Sequence, residues 1–295
     1  MLNVEDILKQ LRENGIVVLD GYIPLPKLEQ MQRCFDQHLT HPQFNTWTGY
    51  QQNERWRLLI ENLLTLSPAF LYPIQHDDLM HICRDYIGDR FQVTEVRGWK
   101  TIRTTRNFHG WHNDAWYDVD RCQEPPPQIK LGVYLTDVDS GEFAYVEQSH
   151  RQKLAPGHWN KAQVDEMNLP IRHVTGKAGT AFLFDTSGVH RQNYPVLTSR
   201  NVVFYNFHDP AFPIQSLDKE YDRYAPLLLN AAFLKGLTKE HERILGFGDE
   251  RYFEDGFIPK QRYPALHSLV KAGLFTRLLG QDCQQLFNRV AAKIF

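Results

Sequence analysis

Between Phe91 and Phe207 the chain breaks into short β-rich runs: FQVTEV, WKTIRTT, IKLGVYL, EFAYVE, TAFLFD and NVVFYNF. Turn-forming residues divide them, among them Asn107, Gly110, Pro125-Pro126-Pro127, Asp139-Ser140-Gly141, Gly176 and Gly179. No helical pattern alternates with these runs. That excludes a parallel α/β sheet and indicates a sandwich or barrel. About eight strands in such a span suit a mainly β core of the double-stranded β-helix (jelly roll) type.

The flanks read as helices. Leu8 and Leu11 start an amphipathic pattern that Gly15 interrupts, and Ile16 to Leu19 form a short buried strand. Pro26 opens a second helix through Leu28, Met31, Cys34, Phe35 and Leu39, and a third covers Asp77 to Ile87 before Gly88. After Pro210 apolar residues again recur at helical spacing, through Leu227, Leu228, Ala231 and Leu234 and then from Leu266 to Ile294. We therefore expect a single domain over 1–295. It comprises a mainly helical part at 1–90, the jelly-roll core at 91–208 and a C-terminal helical extension at 209–295. The apolar faces of that extension serve internal packing, a lid over the site or a homodimer surface, and the sequence leaves the three open.

Charge and composition exclude several partners. A formal charge of −2 gives no electrostatic case for nucleic acid or an anionic membrane. No run reaches the roughly 18 apolar residues that span a bilayer. The first residues, MLNVEDILKQ, lack the apolar core of a signal peptide. Four scattered cysteines without a C-x-x-C pair fit a reducing compartment. These features predict a cytoplasmic protein.

The chemistry centres on Trp111-His112-Asn113-Asp114-Ala115-Trp116. In extended backbone, residues i and i+2 point to one face, roughly 6.5 to 7 Å apart, so an imidazole and a carboxylate can meet on one metal ion. His-x-Asp alone is weak, because chance supplies one in a chain of this composition. A second copy, His76-Asp77-Asp78, opens a predicted helix, where its acids complement the helix dipole. Context separates the two. Downstream of the first, the strand run Gly179 to Phe184 leads through Asp185-Thr186-Ser187-Gly188 to His190, and Arg200 then introduces the next β run. Two histidines and a carboxylate form a facial triad with open coordination positions. A guanidinium beside them can grip a carboxylate with two parallel hydrogen bonds. His241/Arg251 and His267/Arg277 share the ten-residue spacing but lie in helical or loop segments.

With these residues in order, the chain resembles the phytanoyl-CoA dioxygenase family of iron(II)/2-oxoglutarate oxygenases. The likeness runs over about residues 7 to 208, through LRENGIVVLDGYIPLPKLEQMQ, WHNDAWYD, LGVYLTDVDSGEFAYVEQSHR and GTAFLFDTSGVHRQNYPVLTSR. It implies that His112, Asp114 and His190 hold Fe(2+), and that Arg200 pairs with the far carboxylate of 2-oxoglutarate, O₂ being the oxidant. It also implies cosubstrate contacts at Lys100 and Tyr134, and at Gln192, where the family often has a small hydroxyl residue. Glu147-Gln148-Ser149-His150 replaces a Gly-Ser-His turn. The presence of Asp114 implies oxygenation over chlorination, with desaturation and ring formation open. The implied activity is a dioxygenase hydroxylating an unactivated C–H of a small molecule, with release of succinate and CO₂. Trp116, two residues past Asp114, would line the substrate side, while Trp111, Trp116 and Tyr117 also fit plain packing. Arg103, Arg106 and His109 would meet an anionic substrate or solvent.

Two other readings compete. A cupin-like isomerase or hydrolase would bind a divalent ion without 2-oxoglutarate and leave Arg200 idle. A non-catalytic jelly-roll binding module would tolerate His112→Ala.

Overall fold

The structure, a computed structural model, describes residues 2–40, 56–60, 63–114, 117, 122–212 and 229–247, with isolated helical positions between 272 and 287. The chain divides into two compact units, Met1–Asp249 and Glu250–Phe295. The apolar pattern expected from Leu266 to Ile294 lies mainly outside the described residues, as do Leu227 and Leu228. The proposed homodimer surface falls there too. Among the described residues no helix is long and apolar enough to cross a membrane.

In the first unit the helices begin and end where the sequence signals them. Helix α1 (Val4–Asn14) is capped by Asn3, whose side chain accepts from the Asp6 N–H, and it buries Ile7, Leu8 and Leu11. Gly15 closes it at φ +79°, the left-handed conformation that suits glycine at a helix C-terminus. A Cβ at Gly15 would also lie 2.4 Å from the Tyr145 hydroxyl, so two constraints meet at one residue. Strand β1 (Ile16–Leu19) follows, then α2 (Leu25–Thr40), β2 (Arg57–Ile60) and α3 (Asp77–Ile87).

The remaining strands are β3 (Gln92–Thr101), β4 (Trp111–His112), β5 (Gln128–Tyr134), β6 (Val138–Val146), β7 (His158–Trp159), β8 (Ile171–Gly176), β9 (Ala181–Asp185), β10 (His190–Gln192) and β11 (Arg200–His208). They form a six-stranded sheet, β1-β9-β5-β11-β3-β2, and a five-stranded sheet, β7-β4-β10-β6-β8. Every pairing is antiparallel. This is the expected jelly roll. FQVTEV and the start of WKTIRTT prove to be one strand, β3, while Thr104 and its neighbours leave it. Four strands (β2, β7, β8 and β10) are too short or too exposed to stand out in the sequence.

Both faces of the larger sheet are covered, which explains its nearly continuous buried strands. Val203, Tyr205 and Phe207 pack outward with the helices, in a cluster including Leu11, Met31, Phe35 and Leu79. The inner face carries Leu59, Trp99, Tyr134, Phe182, Phe184 and Val202, which meet Phe143, Tyr145 and Val174 of the smaller sheet. Tyr134 ties the sheets together, since its hydroxyl donates to the Val174 carbonyl at 2.8 Å and accepts from the Phe143 N–H at 2.9 Å. Gly132 is needed beneath Phe182, because a Cβ there would stand 2.3 Å from that ring.

The Glu147 to His150 turn departs from the family in sequence but keeps a glycine-like shape. Gln148 takes φ 68°. Ser149 Oγ donates to the Val146 carbonyl and accepts from the Val189 N–H, both at 2.7 Å.

At the far end of β11, His208 is buried, with Nδ1 3.0 Å from Thr94 Oγ1. Burial lowers its pKa from 6.5 to about 4. The unfolded chain therefore takes up a proton that the folded chain refuses. The stabilisation is whole above pH 6.5 and is lost as pH falls toward 4. This group should remove about 3 kcal/mol of unfolding free energy over that range. Urea unfolding across a pH series should show a shallower acid limb in His208→Gln.

Candidate metal centre

The smaller sheet assembles the ligands. His190 opens β10 and is registered directly opposite His112 of β4. Asp114 lies just beyond the end of β4, in extended backbone whose N–H donates to the Thr186 carbonyl at 2.8 Å. The His-x-Asp spacing works as expected, although the strand itself stops at His112. Asn113, between the ligands, points the other way. Its amide donates to the carbonyls of Leu154, Ala155 and Ser187 and accepts from the Gly157 N–H, pinning this short segment.

His112, Asp114 and His190 each offer a ligand atom within 4.8 Å of the other two. His112 Nε2 is 3.7 Å from Asp114 Oδ1, and His190 Nε2 is 3.5 Å from Asp114 Oδ2. Each imidazole has its Nδ1 on a backbone carbonyl, His112 on Gly110 at 3.1 Å and His190 on Gly188 at 2.8 Å. Those bonds fix Nδ1 as the donor and leave the Nε2 lone pair for a cation. Phe143, Tyr145 and Phe184 enclose the His190 ring at centroid distances of 5.4, 6.3 and 5.1 Å. The donor set of two imidazoles and one carboxylate, turned inward from adjacent strands, fits a divalent first-row metal with positions left open.

Electrostatics prepare the same state. Burial, with His190 beside it, lowers the His112 pKa to about 3, so the ring is neutral at physiological pH. For Asp114, burial alone would raise the pKa. Lys130 and the two imidazoles outweigh it and hold the carboxyl well below the usual range. Lys130 Nζ lies 2.8 Å from Asp114 Oδ2, and both side chains are largely buried. The sequence did not single out Lys130, because one lysine in IKLGVYL reads as an edge residue. Only the register, which pairs it with Asn206 and Phe184 on the inner face, reveals it.

Arg200 is 2% exposed and sits on the inner face of the larger sheet, in register with Thr101. Its Cζ is 5.8 Å from the Tyr134 ring centroid. Burial brings its pKa down to about 10 and pushes that of Tyr134 up to about 12. Its Nε and Nη1 are buried with no partner among the described residues. Gln192 lies nearby, its Oε1 accepting from Thr101 Oγ1 at 3.2 Å and its Nε2 buried without an acceptor among the described residues.

Lys100 is a correction. The strand pleat turns successive residues to opposite faces. Lys100 pairs with Asn201, whose amide donates to Asp36 of α2 on the helix-covered side, so it does not share the pocket of Thr101 and Arg200. Trp116 lies outside the described residues. Trp111 and Tyr117 are buried, and Arg103 and Arg106 are exposed. His109 contacts Arg57 and stands 5.6 Å from the His112 ring.

The family model described as Phytanoyl-CoA dioxygenase (PhyH) matches residues 11–192. No curated protein matches the chain. Among solved structures, EctD from S. alaskensis, crystallised with 2-oxoglutarate and 5-hydroxyectoine, has a TM-score of 0.59 and 20% identity over 73% of this chain and 78% of its own. HygX from Streptomyces hygroscopicus, with nickel and 2-oxoglutarate bound, has a TM-score of 0.52 and 18% identity over 72% of this chain and 89% of its own. SnoN, a non-haem α-ketoglutarate-dependent epimerase of nogalamycin biosynthesis, has a TM-score of 0.54 and 12% identity over 73% and 87%. At these identities the three structures speak for the shared fold. The family match covers more than half of the 295 residues and contains the whole triad. The chain belongs to the phytanoyl-CoA dioxygenase family.

Proposed function

We propose that this protein is an iron(II)- and 2-oxoglutarate-dependent dioxygenase that hydroxylates an unactivated C–H bond of a small molecule. The observation that carries the reading is the pairing of an inward-facing His112-Asp114-His190 set with a buried Arg200 whose guanidinium has two N–H groups unpartnered among the described residues. A hydrolase or isomerase that works without 2-oxoglutarate would need the first and would have no use for the second.

Bound in this pocket, iron(II) and 2-oxoglutarate would supply the oxidising chemistry, with O₂ consumed, one oxygen delivered to substrate and the cosubstrate released as succinate and CO₂. The chain's own residues supply geometry. His112 and His190 present Nε2, and Asp114 presents an oxygen held in place by Lys130. Arg200 and Gln192 receive the far carboxylate of the cosubstrate, with the Tyr134 ring against the guanidinium. Phe143, Tyr145 and Phe184 keep water from the His190 side.

On the other side, the inner-face register sets Glu95, Asn206 and Lys130 in one row, with Arg97 in the next. Glu95 is 8% exposed, and its Oε2 has no partner among the described residues. A wall of this kind supports a polar small-molecule substrate.

Addition of Fe(II) and then 2-oxoglutarate without oxygen should produce a visible metal-to-ligand charge-transfer band. Succinate should form when air is admitted. Folded protein that binds the metal but gives no band would overturn the reading in favour of a hydrolase or isomerase that works without 2-oxoglutarate.

A further inference from the structure

We propose that Arg57 is a second guanidinium for the far carboxylate of 2-oxoglutarate, so that the cosubstrate is gripped from two strands of the larger sheet. This rests on the function proposed above and adds a residue to it.

The register places Arg57 opposite Thr101 on β2-β3, and Arg200 opposite Thr101 on β3-β11. Directly paired residues share a face, so all three side chains project inward. With strands about 4.8 Å apart, the two arginines start roughly 10 Å from each other across Thr101. The charge of Arg57 is felt at Arg200 and helps to lower its pKa, a repulsion that one small anion bridging the two side chains would relieve.

The Arg57 head is held in place. Its Cζ lies 3.9 Å from the Trp99 ring centroid, a stacked cation–π geometry, and 5.8 Å from that of Phe108. One terminal nitrogen contacts His109 Nε2, and the His109 ring adjoins His112 of the triad. Arg57 therefore reaches from the Arg200 end of the cavity toward the metal ligands.

Around Thr101 four buried donor atoms lack an acceptor among the described residues: Nε of Arg57, Nε and Nη1 of Arg200, and Nε2 of Gln192. The hydrogen bond from Thr101 Oγ1 to Gln192 Oε1 is internal to the group. Neither guanidinium makes an ion pair with a carboxylate among the described residues. Glu142, the acid whose field reaches Arg200, is already engaged by His173 and Asn193 at 2.7 Å each. Buried N–H groups are almost always satisfied. A carboxylate brings two oxygens and about four acceptor positions, which matches this donor set in number and charge. The position also compensates for Lys100, which the pleat turns away from the pocket.

The test compares wild type, Arg57→Gln and Arg57→Lys, each loaded with Fe(II) without oxygen. Each is titrated with 2-oxoglutarate and with 2-oxobutyrate, which keeps the keto acid and lacks the far carboxylate. Losing one charged hydrogen-bonding partner should raise the 2-oxoglutarate Kd of Arg57→Gln about ten- to thirtyfold. Its affinity for 2-oxobutyrate and for Fe(II) should stay within about twofold of wild type, and Arg57→Lys should fall between. Unchanged 2-oxoglutarate binding in Arg57→Gln would refute the assignment and leave the guanidinium to an anionic substrate. So would an equal loss for both keto acids, which would mark a general disturbance of the site. If wild type itself gives no charge-transfer band, it is the oxygenase reading that fails, a result separate from either of these.

Discussion

Replacing Arg200 by leucine should abolish useful 2-oxoglutarate binding and leave the ligand-free protein at least as stable as wild type. The two effects share one cause. The guanidinium is 2% exposed, carries no ion pair among the described residues and keeps two donor atoms unpartnered. Burial holds its pKa at about 10 in place of 12.5, so the fold disfavours its charge. That disfavour corresponds to about 3 kcal/mol, which leucine would relieve, less the loss from a shorter side chain in a packed site. The incoming carboxylate, by contrast, would lose its principal partner. Truncating one side of a buried charge pair costs about 2–5 kcal/mol, so the Kd should rise by roughly thirtyfold to several thousandfold. Paired thermal melts with and without 2-oxoglutarate check both halves. Wild type should be raised by the ligand, and Arg200→Leu should be unmoved by it from an equal or higher starting midpoint. A variant that melts well below wild type would mean that Arg200 serves the fold.

Lys130→Met should show the opposite pattern, a large stability defect that metal repairs. Without a metal, Lys130 is the main positive partner of the Asp114 carboxylate at 2.8 Å, where both side chains are at least 86% shielded. Removing one member of such a pair leaves a buried charge uncompensated, a loss of about 3–5 kcal/mol. In a unit of this size the melting temperature should drop by roughly 10 °C or more. A divalent cation binding only the folded state then stabilises it in proportion to its affinity. The shift produced by Ni(II) or Fe(II) should be larger in Lys130→Met than in wild type, since the ion takes over the neutralisation of Asp114. An equal shift in the two proteins would show that Lys130 does not act through that carboxylate.

The jelly roll and the triad were legible in the sequence for a specific reason. His112, Asp114, His190 and Arg200 stand beside runs whose β character is unambiguous, and their order imposes a geometry. What stayed hidden depends on parity across strands. Glu95, Arg97 and Lys130 lie in strands buried on both faces, so no polar–apolar alternation betrays which way they point. The family resemblance implied a cosubstrate contact at Lys100, yet one step along the pleat carries it to the helix side while Thr101 faces in. Arg57 escaped notice because its strand, RLLI, is only four residues long. Its importance comes from a partner 143 positions away, Arg200, which local pattern cannot reach.

The two candidate histidine ligands differ from Asp114 in what orients them. Their Nδ1 atoms rest on peptide oxygens of Gly110 and Gly188, so no side-chain substitution can exchange the orienting group. Gly188 cannot readily accept even alanine, since an added carbon would fall 1.9 Å from the Tyr145 hydroxyl. Mutational tuning of the ion's electron density therefore has a single adjustable handle, the ammonium beside the carboxylate. A laboratory seeking variants with altered metal preference should diversify position 130 and leave the imidazole supports alone.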